Sequence, residues 1–225
     1  MSDEMPLFQV DGYKSPLTDN VTTLVQEVLD TVNDPSVTRG RVRTAFTRIL
    51  FGLSALYDLP DLETTAVLTF PTAVDAVPLP ADFQKKLFRA STSSIPFVRV
   101  CPSMDVLLRE FHAGALLSVA VVGGRLMMRP SPSSETVLTI HYFRLPDPLE
   151  GNQSKPFCLP PHLAAPLLVN GACRDLFSTI EQDLGVEKVQ TAYYAGRFNE
   201  AAMELAVFAP AYDSMMIEIT DMVGW

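Results

Sequence analysis

The apolar residues of this chain change period twice, and that change constrains the fold more than any other feature of the sequence. Between Val21 and Leu56 they recur every three or four positions, the spacing of one face of an α-helix. From residue 64 to residue 145 the spacing shortens to alternation interrupted by prolines, and helical spacing then returns near Pro161 and lasts to Phe208. The fold class this predicts is α+β: an antiparallel bundle of four main helices, an inserted antiparallel β-rich region, and extended arms at both termini. In residue ranges, 1–17 form an amino-terminal arm, 18–62 and 156–209 the helical bundle, 63–155 the β-rich insertion and 210–225 a carboxy-terminal interaction arm.

Local signals refine these elements. Residues 1–17 contain Pro6, Gly12 and Pro16 without a period, hence the arm. The first helix follows the cap-like run Thr18-Asp19-Asn20 and turns Val21, Leu24, Val25, Val28, Leu29 and Val32 to one side. Asp34-Pro35 reads as a cap followed by a proline in the first turn of a second helix, which places Val42, Phe46, Ile49, Leu50, Leu53 and Leu56 on one face and stops at Pro60. In the middle, Ser118 to Val122 and Arg125 to Arg129 flank Gly123-Gly124, because two glycines take the positive φ angles of a tight hairpin turn. Thr136 to Phe143 supplies a further strand, and Ser103 to Phe111 has the spacing of a short helix. After the linker containing Pro146, Pro148 and Gly151 comes a helix beginning at Pro161 or beyond it, with Pro166 bending or delaying its first turns. Gly185 separates that helix from the last one, Val186 to Phe208, whose Tyr194, Phe198, Ala201, Ala202, Leu205 and Phe208 are expected to pack inward.

The tail poses its own problem. Ile217-Glu218-Ile219-Thr220 alternates like a strand, but no second strand follows it. Burial of Met215, Ile217, Ile219, Met222 and Trp225 falls short of the backbone entropy lost on ordering this segment, so ladder hydrogen bonds to another edge are needed. Strand addition on a neighbouring molecule is the expected solution, and pairing with the chain's own sheet is the alternative.

A net charge of -9 opposes tight docking on nucleic acid, which needs a dense basic surface, while it suits a wall past which duplex DNA slides. Asp3, Glu4 and Pro6 stand where a signal peptide needs a basic start and an apolar run, so export is not expected, nor is a membrane span. Cys101, Cys158 and Cys173 lack the spacing of a disulfide framework or zinc site and suit a reducing compartment. His112, His141 and His162 are scattered, so no metal and no cofactor is expected. Gly123-Gly124 lacks the following Gly-Lys-Ser/Thr of a phosphate loop. The one catalytic alternative is a small cytoplasmic hydrolase using Cys158 or Cys173 with His162, since an imidazole lowers a neighbouring thiol's pKa. Against it, Cys158 lies in a proline-rich segment and Cys173 on an apolar helix face. Arg39, Arg41, Arg43 and Arg48 form the basic cluster of the chain, either a solvated helix or a dock for carboxylates.

Five passages, in this order and spacing, resemble the head-tail adaptor proteins of tailed phages, including the tail accessory factors and tail tubular proteins of short-tailed phages. They are Leu79-Pro80-Ala81-Asp82-Phe83, Val122-Gly123-Gly124-Arg125-Leu126, His141-Tyr142-Phe143-Arg144-Leu145-Pro146, Leu159-Pro160-Pro161-His162-Leu163 and Tyr193-Tyr194-Ala195-Gly196-Arg197. The resemblance implies a non-enzymatic virion protein at the neck, assembled in the host cytoplasm into a dodecameric ring of copies of itself around a DNA channel. Its implied partners are the portal protein and the next tail or nozzle protein. The protein-interface residues expected on this basis are Gly123, Gly124, Arg125, Arg39 and Arg43, with Met215, Ile217, Ile219, Met222 and Trp225 in the carboxy-terminal arm.

Overall fold

The computed structural model describes residues 20–112, 117–151 and 154–209. These hold five α-helices and seven strands in two sheets. The fold is therefore α+β, but the expected four-helix antiparallel bundle with a single antiparallel insertion is corrected on three counts: the number of helices, the two sheets, and a parallel strand pair. The expected terminal arms, residues 1–17 and 210–225, lie outside the described residues. The chain divides into two compact units, one with the described residues up to Leu50 and from Pro148 to Leu205, the other with those from Phe51 to Asp147 and from Ala206 onward.

In the first unit, α1 (Val21–Val32) starts where the Asn20 side chain accepts from the Thr23 N–H at 3.1 Å and stops at Asn33, whose left-handed backbone lets its N–H reach the Leu29 carbonyl. Helix α2 (Arg39–Leu56), whose residues from Phe51 on belong to the second unit, opens later than Asp34-Pro35 suggests. The Asp34 carboxylate and carbonyl instead close a turn on the N–H groups of Ser36 and Val37, and the Thr38 hydroxyl accepts from Arg41 N–H at 3.3 Å. The expected apolar face of α2 is buried at Val42, Phe46, Ile49, Leu50 and Leu53, whereas Leu56 is exposed. Helix α4 (Pro161–Leu184) begins at Pro161 and carries Pro166 within it; Gly185 caps its end with φ +62°. Helix α5 (Val189–Phe208) follows. α1 packs on α4. At Gly171 of α4 a Cβ would lie 2.8 Å from Ile49 of α2 and 3.1 Å from the Phe198 ring of α5, so a glycine is needed for the close approach of three helices.

In the second unit, β1 (Glu63–Phe70) and β3 (Phe83–Ser91) flank β7 (Thr136–Arg144), both antiparallel to it. The second sheet runs β2 (Ala76–Pro78), β6 (Arg125–Arg129), β5 (Ser118–Val122), β4 (Arg99–Cys101). β4 and β5 are parallel, and the chain between them contains α3 (Met104–His112), the crossover that a parallel pair requires. Alternation over three residues of β4 is too short to announce this. One core joins the sheets: Phe70, Val119, Leu126, Met128, Leu138 and Ile140 are fully buried in it, each contributing about 1.5–3 kcal/mol by leaving water.

Candidate functional site

The passages that carry the resemblance come together at two places. In the second unit the Tyr142 hydroxyl donates to Asp82 Oδ1 at 2.7 Å, Phe83 stacks on the Tyr142 ring with centroids 5.3 Å apart, and Leu145 N–H donates to the Asp82 carbonyl. Leu79 N–H reaches the Gly124 carbonyl at 3.3 Å. The Leu79–Phe83 segment is thus clamped between the hairpin turn and β7. Burial, and then the Asp82 carboxylate, push the Tyr142 phenol up to about 12, so it stays a hydrogen-bond donor.

In the first unit, His162 and Arg197 line a groove of about 480 Å³ with Glu27, Asn170, Glu200 and Glu204. His162 Nε2 lies 3.3 Å from Glu204 Oε1, both groups being exposed. Tyr194 stacks on Phe177 at 5.5 Å, and Arg174 sits over the Phe198 ring at 4.6 Å, fixing α5 against α4. Beyond Gly185, the Glu181 carboxylate of α4 accepts from the N–H groups of Gln190 and Thr191 and from the Thr191 hydroxyl. These bonds, led by the hydroxyl, hold the Glu181 carboxyl below its ordinary range and cap the start of α5.

The expected interface residues fall on separate surfaces. Gly123 and Gly124, with φ +56° and +75°, make an exposed turn, and Arg125 beside them donates to the Ala76 carbonyl. Arg39 is exposed and donates to Gln26 at 3.1 Å. Arg43 and Arg48, five residues apart on α2, share a cavity of about 450 Å³ with Gly40, Thr44, Thr47 and Glu150. The sequence spread the arginines around the start of the helix, and only the fold brings this pair to one hollow. Met215, Ile217, Ile219, Met222 and Trp225 lie outside the described residues.

Two surfaces had no sequence signal. Lys85 donates to the Tyr57 carbonyl at 2.6 Å and the Ala55 carbonyl at 3.3 Å, and pairs with Asp58 at 3.1 Å, tying the end of α2 to β3. Desolvation pushes the Lys85 ammonium down despite that carboxylate. On α5, Val189, Tyr193, Met203 and Val207 form an exposed apolar stripe, and Phe208, expected to pack inward, is exposed as well. Helical periodicity records that a residue is apolar, and α5 is apolar on both sides; only Ala201 and Leu205 of it are buried.

Cys173 and Cys101 lack the lowered pKa of an activated thiol. Burial pushes Cys173 up to about 12, aided by the Glu27 charge, and Cys101 is likewise raised by burial, the opposite of activation. Cys158 is also buried, while His162 is exposed and engaged with Glu204. Among the described residues no His, Cys, Asp or Glu cluster is fit to hold a metal ion, and no helix is long and apolar enough to cross a membrane.

The sequence matches the SU10 adaptor protein family over residues 19–216. The chain belongs to that family. It is a phage adaptor protein, a component of the virion whose partners are other structural parts of the phage, and adaptor membership points to a structural rather than an enzymatic role. No curated protein matches it.

Proposed function

We propose that this adaptor is a ring subunit of the phage neck, assembled in the host cytoplasm as a dodecamer that joins the portal to the next tail or nozzle protein and surrounds the passage for duplex DNA. The observation that supports a subunit of an assembly is the stripe on α5. Met203 and Val207 are 71% and 87% exposed on the same side of a well-formed helix as Val189 and Tyr193, a surface that a lone soluble protein has reason to cover. The net charge of -9 is consistent with a channel wall that repels DNA.

In this reading the Gly123-Gly124 turn with Arg125 meets an adjoining ring, and Arg39 and Arg43 dock carboxylates of a neighbour or of the portal. The arm of residues 210–225 gains order on assembly through Met215, Ile217, Ile219, Met222 and Trp225. The helical part, 18–62 and 156–209, and the β-rich part, 63–155, both carry contact surfaces in this reading, with residues 1–17 as a second arm.

Electron microscopy of the purified chain mixed with its portal is the test. A ring of this chain seated on the portal is expected, and a chain ending at Pro210 is expected to stay folded and fail to join. Absence of the full-length chain from the neck of assembled particles would refute the reading.

A further inference from the structure

The four edge strands of the two sheets are not alike. β2 and β4 are three residues each, and β2 ends in Pro78. β3 shifts register three times along β7, turns Lys86 into a positive-φ conformation, and carries Lys85, Lys86 and Arg89. Short length, proline, bulges and charge are the devices by which proteins keep an edge from pairing. β1 has none of them. It pairs with β7 in unbroken register from Glu63 to Phe70, contains no proline, and has one charged residue, Glu63, at its start. On its other side no strand pairs with it among the described residues.

The core is also open along that edge. On β7 the inward residues Leu138, Ile140 and Tyr142 are sealed, but their neighbours Ala66 and Leu68 on β1 are only partly buried. Outward, Val67 is 64% exposed. A strand laid beside β1 completes the backbone ladder and covers Ala66 and Leu68.

We infer that the open edge of β1 receives the Met215–Thr220 run from the carboxy-terminal arm of a second copy of this chain. The run alternates: Met215, Ile217 and Ile219 fall on one side, suited to the partly covered core, and Met216, Glu218 and Thr220 on the other, beside Thr65, Val67 and Thr69. The residues between Ala209 and Met215 span at most about 20 Å when extended. Each copy is then both donor and acceptor, the head-to-tail relation that closes a ring. The inference rests on the ring-subunit reading and adds to it the acceptor.

Cysteine pairing tests it, since Cys101, Cys158 and Cys173 are buried and leave engineered thiols to react alone. Full-length chains carrying Thr65→Cys, Val67→Cys or Thr69→Cys are mixed with chains carrying Glu218→Cys or Thr220→Cys and oxidised; Phe97→Cys, exposed elsewhere in the unit, is the control. A disulfide between two different chains is expected for at least one β1 position, forming on the order of a hundredfold faster than for the control because docking raises the effective thiol concentration. No link above the control overturns the inference, as does a link formed within one chain when both cysteines are placed in the same molecule. Rings counted by microscopy in the same samples report separately on the adaptor reading, which survives if rings form without the link.

Discussion

α4 and α5 follow one another across the Gly185 turn and are both rich in apolar residues, yet α4 buries ten of its residues and α5 buries Ala201 and Leu205 alone. The difference is one of neighbours. α4 meets α1 and, at Gly171, Ile49 of α2 and Phe198 of α5, whereas α5 rests one side on α4 and leaves Val189, Tyr193, Met203 and Val207 to the solvent. An apolar residue in α4 therefore maintains the fold, whereas one on the outer side of α5 stays in solvent and, on the ring-subunit reading proposed above, is there for a neighbouring molecule.

Substitutions in the two helices test this contrast. Leu168→Ala, at a fully buried site in α4, is expected to cost about 2–5 kcal/mol in denaturant unfolding, through lost burial and the cavity left behind. A cost below about 1 kcal/mol would show that α4 is not the central element. Gly171→Ala presses a methyl against Ile49 and the Phe198 ring and should cost about 1–3 kcal/mol by overpacking.

The joint between the helices adds a pH signature. The lowered Glu181 carboxyl contributes stability that is complete above the ordinary value of 4.5 and is lost as pH falls through its lower value in the folded protein. Glu181→Gln should flatten the acid limb of the stability profile below that value, and hydrogen exchange should show the first turn of α5 opening more readily. An unchanged acid limb would remove Glu181 as the cap of α5.

Smaller effects belong to the open side of α5. Nothing lies within 4 Å of a Cβ built at Gly196, so Gly196→Ala should stabilise the chain by about 0.4–1 kcal/mol, opposite in sign to Gly171→Ala. Met203→Ala should change monomer stability by less than about 0.5 kcal/mol while weakening association between copies, read by sedimentation. If Met203→Ala instead destabilises the monomer as Leu168→Ala does, the distinction between the two helices collapses.

The sequence by itself determined the kind and place of most elements, because the period of apolar residues is a local property of the backbone. The Gly123-Gly124 hairpin, the strand from Thr136 and the short helix after Ser103 were all legible. The start of α2 was misread at Asp34-Pro35 because an aspartate side chain closes a turn as readily as it caps a helix, and Thr38 took the capping role. What only the tertiary structure decided was which face meets what: the split into two sheets, a parallel pair around α3, helices that do not make a four-helix bundle, the meeting of Asp82 with Tyr142 across sixty residues, and the unguarded edge of β1. Neighbours across a sheet or a helix crossing are set by packing over long chain separations, and no window of sequence contains both partners.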